Sequence, residues 1–275
     1  MMRLGGILFI SAEDPEAFAE AHVRQGYRAA YCPDIPLSDT ARIQAFRAAF
    51  AKRDILLAET GAWCNMVTPD ETERRQNIAK TCDKLALADE LGALCCVNFI
   101  GSVAPGEYRK PVDLSEDAFA LAVETVQTIL NSVKPKRAKF SLEMMQTQFP
   151  NSVESYLRLI EAIDDERFAA HIDPVNIVLS LREYYDTAAL IRDCFARLGR
   201  WIISCHAKDI ILRPGLALHF DETRPGTGVL DYRTYLSCLK ALGRDVPLMI
   251  EHLPNAEAFD EARDYVISVE EEMEE

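Results

Sequence analysis

Strand-like and helix-like segments alternate eight times along this chain of 275 residues, and that alternation constrains the fold more than any other feature. Short apolar runs rich in Ile, Val, Leu and Cys fall at residues 6–10, 29–32, 55–59, 93–100, 139–145, 168–173, 201–206 and 247–251. Helical patterns follow them at 15–25, 39–52, 69–91, 115–133, 152–163, 184–198, 232–242 and 256–274. Ala120, Val123, Val126, Ile129 and Leu130 recur at the spacing of one helix face, as do Tyr156, Leu159, Ile160 and Ile163. Gly26, Gly92, Gly199 and Gly243 each follow a last periodic residue, where a left-handed cap is expected. Ser115, followed by two acids, predicts an N-cap. Apolar strands without polar alternation indicate a parallel sheet covered on both faces. Eight such units in this length predict a closed α/β barrel, (β/α)8, over an open doubly wound sheet. No Gly-x-Gly-x-x-Gly follows the first strand, so the main sign of a dinucleotide fold is missing. With no linker, low-complexity tract or shift in composition, the chain reads as a single domain over residues 1–275.

The last four strand-like runs each end in an ionisable residue: Glu143, Asp173, His206 and Glu251. Residues two apart on a strand share a face. Ser141 with Glu143, His171 with Asp173, Ser204 with His206 and Lys208, and Met249 with Glu251 are therefore expected to point together to the barrel axis. Cys205 and Ala207 are expected to face the helices. Three carboxylates crowded in a partly buried site repel one another unless a cation neutralises them. With three oxygen donors to one nitrogen, the expected cofactor is one divalent metal ion, Mn2+ first, then Mg2+ or Co2+, with Zn2+ a poorer match. Such an ion would take two substrate oxygens, a carbonyl and a neighbouring hydroxyl, and acidify the C–H beside the carbonyl. Glu143 and Glu251 are the candidates to remove and return that proton.

Composition removes several classes. The formal charge of −14 opposes nucleic acid, whose binding needs a basic surface, and opposes anionic membranes as well. No run reaches the length of a membrane span. Eight cysteines without a CxxC pair or regular spacing suggest reduced thiols and a cytoplasmic protein. A small, neutral or modestly charged substrate fits this balance.

The quoted strand ends carry a resemblance. Ser141-Leu-Glu-Met144, His171-Ile-Asp-Pro-Val-Asn176, Cys205-His-Ala-Lys-Asp209, Gly226-Thr-Gly-Val-Leu-Asp-Tyr232 and Met249-Ile-Glu-His252 resemble the xylose isomerase-like TIM-barrel superfamily. The likeness is to its sugar-phosphate isomerase/epimerase branch, which includes ketose 3-epimerases, hydroxypyruvate isomerases, inosose dehydratases and 3-dehydroshikimate dehydratases. It implies Glu143, Asp173, His206 and Glu251 as metal ligands, Glu143 and Glu251 as proton-transfer groups, and a homo-oligomer. Where branch members often carry histidines near the substrate, this chain has Asn176 and Asn98, which can bind a hydroxyl but cannot titrate. Phe149 stands where free-ketose epimerases tend to carry a further acid, which weakens that particular substrate class.

Four further side chains are candidates for substrate contact: Lys208 on the His206 face, Trp63 after the third strand, and Arg213 and His219 in the long 210–231 connection. Connections of that length, here 101–114 and 210–231, are commonly lids or binding elements. Lys208 could instead pair with Asp209, and His252 falls on the opposite parity to Glu251. The leading function is a divalent-metal-dependent isomerase or epimerase of a small sugar, polyol or hydroxy-keto substrate. A dehydratase would share the metal, the base and the first step. A multi-zinc endonuclease is disfavoured by five histidines and an acidic surface, and a barrel that binds sugar without turnover by the intact donor set.

Overall fold

The computed structural model describes residues 2–103 and 114–274. Seven parallel strands come first: β1 (Leu4–Gly5), β2 (Ala29–Tyr31), β3 (Leu56–Gly61), β4 (Cys95–Asn98), β5 (Lys139–Glu143), β6 (Phe168–Ile172) and β7 (Ile202–Ala207). An antiparallel hairpin, β8 (Asp209–Leu212) and β9 (Phe220–Thr223), precedes the eighth parallel strand, β10 (Leu248–Ile250). The parallel strands close in the order β1-β10-β7-β6-β5-β4-β3-β2, a single-domain (β/α)8 barrel. Around it lie α1 (Pro15–Arg24), α2 (Thr40–Lys52), α3 (Glu71–Leu91), α4 (Glu116–Val133), α5 (Val153–Ile163), α6 (Leu181–Tyr185), α7 (Thr187–Leu198), α8 (Tyr232–Ala241) and α9 (Ala256–Glu272). Their starts follow side-chain caps, among them Asp14, Asp70, Ser152, Asp231 and Asn255, which accept from backbone N–H groups of the first turn.

Several expectations need correction. The first strand is Leu4–Gly5, not 6–10, and Ile7, Phe9 and Ile10 beyond it are exposed. Gly5 suits that place because a Cβ there would meet the Met249 side chain and the Ala29 carbonyl at 2.6–2.7 Å. The helix expected at 184–198 is two, because Asp186, at φ −140°, ends α6 and caps α7 through Ala189 N. Gly26, Gly92 and Gly243 have positive φ, but Gly199 is right-handed and leads into a 3-10 turn. The connection at 210–231 contains the β8–β9 hairpin, while 104–113 of the other long connection lie outside the described residues.

Two register shifts aim side chains at the axis. Ala30 pairs with Leu57 but Tyr31 with Glu59, leaving Ala58 as the extra residue on β3. Ala170 pairs with Ile202 but His171 with Ser204, leaving Ile203 extra on β7. Each bulge reverses the alternation of its strand, so Glu59 and Ser204 face inward. Buried tyrosines then clamp the strand ends from outside. Tyr156 of α5 donates to Leu142 O at 2.6 Å and accepts from His171 N at 3.0 Å. Tyr235 and Tyr232 of α8 donate to the carbonyls of His206 and Lys208 at 2.9 and 2.7 Å.

Asp209 fixes the chain just after Lys208. Its carboxylate accepts from the backbone N–H groups of Ile210, Gly226, Gly228 and Leu230 at 2.8–3.0 Å. The Gly226-Thr-Gly228 turn is thus a nest for an internal anion. Gly228 is obligatory there, since a Cβ would lie 2.3 Å from Asp209 Oδ1. We predict that Asp209→Ala loses about 4 kcal/mol of stability, at roughly 1 kcal/mol for each of the four stranded donors. Urea unfolding against the solvent-facing Thr227→Ala control checks this.

Asp89, late in α3, similarly takes the N–H groups of Lys136, Arg137 and Ala138 at 2.5–2.9 Å and ties down the entry to β5. Burial pushes its carboxyl up, but the three N–H groups hold it below the ordinary aspartate value. A depressed folded-state pKa stabilises the fold above the unfolded value of about 3.9 and is lost as pH falls through the lower, folded value. The stability gap between wild type and Asp89→Asn should therefore narrow as pH is lowered below about 4, as measured by thermal unfolding at stepped pH.

Candidate metal centre

The strand ends converge as their spacing predicts. Glu143, Asp173, His206 and Glu251, from β5 and the ends of β6, β7 and β10, are all buried, with one ligand atom of each within 4.8 Å of the others. His206 stands at the middle. Its Nδ1 lies 2.9 Å from Glu143 Oε1, 2.9 Å from Glu251 Oε1 and 3.9 Å from Asp173 Oδ2. Lys208 Nζ sits beside it, 2.7 Å from both Asp173 Oδ2 and Glu251 Oε1 and 3.6 Å from Glu222 Oε2 on β9. Lys208 therefore pairs with these acids and not with its neighbour Asp209.

The group contains a residue that parity alone misses. Glu59 of β3, 1% exposed, reaches His206 Nε2 with Oε1 at 3.0 Å and accepts the Ser204 hydroxyl on Oε2 at 2.7 Å. Glu59 Oε2 also lies 3.4 Å from His171 Nε2. An ionisable residue closing an apolar run is the same signal that marks the other four strand ends. Simple alternation from the outward Leu57 would have placed Glu59 outside, and the bulge at Ala58 places it inside.

Burial opposes charge throughout this group, and mutual attraction overcomes it at most members. Glu251, Glu59 and Glu143 drive His206 well above the usual histidine range, and Asp173, Glu143 and Glu251 do the same for Lys208. Facing His206, the carboxyls of Glu59, Glu143 and Glu251 stay below theirs. Asp173 is the exception. Burial, with Glu143 and Glu251 nearby, pushes it up to about 7 although Lys208 pulls the other way.

Four carboxylates thus face two cationic side chains, which leaves negative charge in excess. Two buried oxygens that point into the group, Asp173 Oδ2 and Glu251 Oε1, accept no hydrogen bond of good geometry; their contacts, Lys208 Nζ at 2.7 Å from both and His206 Nδ1 at 2.9 Å from Glu251 Oε1, are ion pairs. Unsatisfied buried oxygens in a group of net negative charge fit a divalent cation. The residues that could hold it are Glu143, Asp173, His206 through Nδ1, and Glu251, an oxygen-rich set suited to a hard ion.

The remaining candidates divide. Asn176 donates to Glu143 Oε1 at 3.2 Å and accepts from Lys208 Nζ at 3.4 Å, so it belongs to the group. Trp63, 41% exposed, lies over His206 with ring centroids 6.3 Å apart. Gly61 leaves room for it, because a Cβ there would lie 1.9 Å from the indole nitrogen. Asn98 is placed otherwise. Its amide binds Cys64 N, Phe99 N and Thr81 Oγ1 at 2.9–3.1 Å, a structural pin for the loop after β3. Arg213 and His219 both pair with Asp221 on the exposed hairpin. His252 is exposed at the rim, 3.1 Å from Glu222.

Residues 19–269 match the profile of the xylose isomerase-like TIM barrel family, and the chain belongs to that family. No curated protein sequence matches it. Among solved structures it is similar to endonuclease IV from Thermus thermophilus, at TM-score 0.73 and 15% identity over 98% of this chain and 99% of that one. It is similar to D-psicose 3-epimerase with D-tagatose from Clostridium cellulolyticum H10, at TM-score 0.67 and 15% identity over 96% of each chain. A third is a xylose isomerase-like TIM barrel protein from Mycobacterium smegmatis in complex with magnesium, at TM-score 0.66 and 18% identity over 92% and 87%. At these identities the likeness is one of fold.

Binding of an ion to the folded state alone raises stability by about 2.7 kcal/mol at a concentration one hundred times Kd. We predict that Mn2+ raises the melting temperature of the wild-type chain, that EDTA reverses the rise, and that Asp173→Asn abolishes most of it. Differential scanning fluorimetry reads all three.

Proposed function

We propose that this protein is a divalent-metal-dependent isomerase or epimerase acting on a sugar, a polyol-derived ketone or a similar small hydroxy-ketone. The observation that carries the proposal is the pairing of Glu143 and Glu251. They come from β5 and β10, with β6 and β7 between them, and each places Oε1 2.9 Å from the same His206 nitrogen. A substrate carbon held above that nitrogen would have a carboxylate on either side. A bound ion would polarise the substrate carbonyl and acidify the adjacent C–H.

The side chains supply the rest. His206 keeps Glu143 and Glu251 ionised despite burial, as a base must be. One takes the proton from carbon and the other returns one on the opposite face, which inverts the centre. Asn176 orients Glu143 by donating to Oε1. Lys208 offsets part of the carboxylate charge, so the pair can approach without forcing protons onto each other. Trp63 offers an exposed ring face above the site, suited to stack on the C–H face of a sugar.

The similarity to an endonuclease does not change this reading. Only His171 and His206 of the five histidines lie in the group, and a net charge of −14 is a poor match for a phosphate backbone. The test is incubation with Mn2+ and a panel of ketoses, inososes and dehydroshikimate in deuterated water. We expect one deuterium at the carbon beside the carbonyl together with a new epimer or isomer, and a loss of about 10²–10⁴-fold in kcat for Glu143→Gln or Glu251→Gln. Loss of water from the substrate would make the protein a dehydratase. No exchange with any member of the panel would sink the proposal.

A further inference from the structure

We infer that Glu59 is a positioning residue that reaches across the barrel to hold the Nε2–H of His206, so that Nδ1 of that ring is the nitrogen left for the ion. The inference rests on the metal-centre reading proposed above.

Strands β3 and β7 stand opposite each other, with three strands between them in either direction round the barrel. Glu59 and His206 nevertheless meet at 3.0 Å, so the contact spans the interior. The chain goes to some length to make it. A bulge at Ala58 turns Glu59 inward, and a second at Ile203 turns Ser204 inward to bind the other carboxylate oxygen at 2.7 Å. With Oε2 fixed by Ser204, Oε1 has one orientation. Ionised Glu59 can only accept, so the ring nitrogen facing it must carry the proton.

Without an ion Nδ1 too faces carboxylates at 2.9 Å and carries a proton; an ion would take that proton's place, and of the two neutral tautomers only the one protonated at Nε2 has its lone pair on Nδ1. Nδ1 is the atom that faces Glu143, Asp173 and Glu251. The carboxylate on the far nitrogen therefore selects the ligating tautomer and makes the imidazole a better donor. His171 packs edge-on against one side of the His206 ring, with ring centroids 4.1 Å apart.

A competing arrangement uses the same atoms. Glu59, His171 and His206 Nε2 could themselves hold an ion, and both ring nitrogens of His171 are buried without a hydrogen-bond partner. Filling that site together with the first would require His206 to lose both ring protons, which disfavours it.

The experiment compares wild type, Glu59→Gln and Glu59→Asp by calorimetric titration with Mn2+, native mass spectrometry, and ¹⁵N spectra of the histidine rings in Mg2+-loaded protein. We expect one ion per wild-type chain and a His206 ring protonated at Nε2. Glu59→Gln should bind about 10–100-fold more weakly with unchanged circular dichroism, and Glu59→Asp should recover part of the loss. Equal affinity in Glu59→Gln would overturn the inference, as would a wild-type His206 protonated at Nδ1, a reading that needs no variant to fold. Two ions in wild type and one in Glu59→Gln would make Glu59 a ligand instead. A wild-type chain that binds no ion defeats the metal-centre reading itself.

Discussion

Four buried carboxylates share the mouth of this barrel with the imidazoles of His171 and His206 and one ammonium group. Moving each such charge out of water costs several kcal/mol, recovered only if its partners are close and well placed. Much of the neighbouring architecture serves that placement. Bulges on β3 and β7 bring Glu59 and Ser204 inward, Tyr156 clamps β5 to β6, and Tyr232 and Tyr235 hold the backbone of Lys208 and His206. Asp209 locks the chain immediately after Lys208 into the nest of the following turn. Even so, the group keeps more negative charge than it can neutralise, with two carboxylate oxygens held by ion pairs alone.

That imbalance separates this site from an ordinary buried ion pair. His206 and Lys208 keep three of the glutamates ionised, while Asp173, the most enclosed of the four, is pushed up to about 7, first by burial. A divalent ion would relieve both conditions. The family to which the chain belongs shares a fold among proteins as different as an endonuclease and a sugar epimerase. The fold therefore sets where chemistry happens, at the C-terminal ends of the strands, and the side chains decide what it is.

The barrel was legible in the alternation of apolar runs and helical periods, and Glu143, Asp173, His206 and Glu251 could be brought together on paper because alternation holds at the ends of their strands. Glu59 shows where that logic fails. A bulge adds one residue and reverses every side chain beyond it, and Ala58 offers no local signal that it is the extra one. The break at Asp186 was similarly hidden, since a residue that can cap a helix can also sit inside a helical period. Asn98 stands at a strand end like the site residues, yet its amide binds the loop after β3 at Cys64, α3 at Thr81 and its own neighbour Phe99. Arg213 and His219 lie on a hairpin whose strands were not evident between its glycines and prolines, and their shared partner Asp221 was unassigned for the same reason.

The most direct test is anomalous diffraction from a crystal grown or soaked in Mn2+, collected on both sides of the manganese edge. The account predicts one strong peak bounded by Glu143, Asp173, His206 Nδ1 and Glu251, with Glu59 still on Nε2 of the same ring. No peak there, with Lys208 unmoved between Asp173 and Glu251, would mean that the barrel balances its own charge and that its function lies elsewhere.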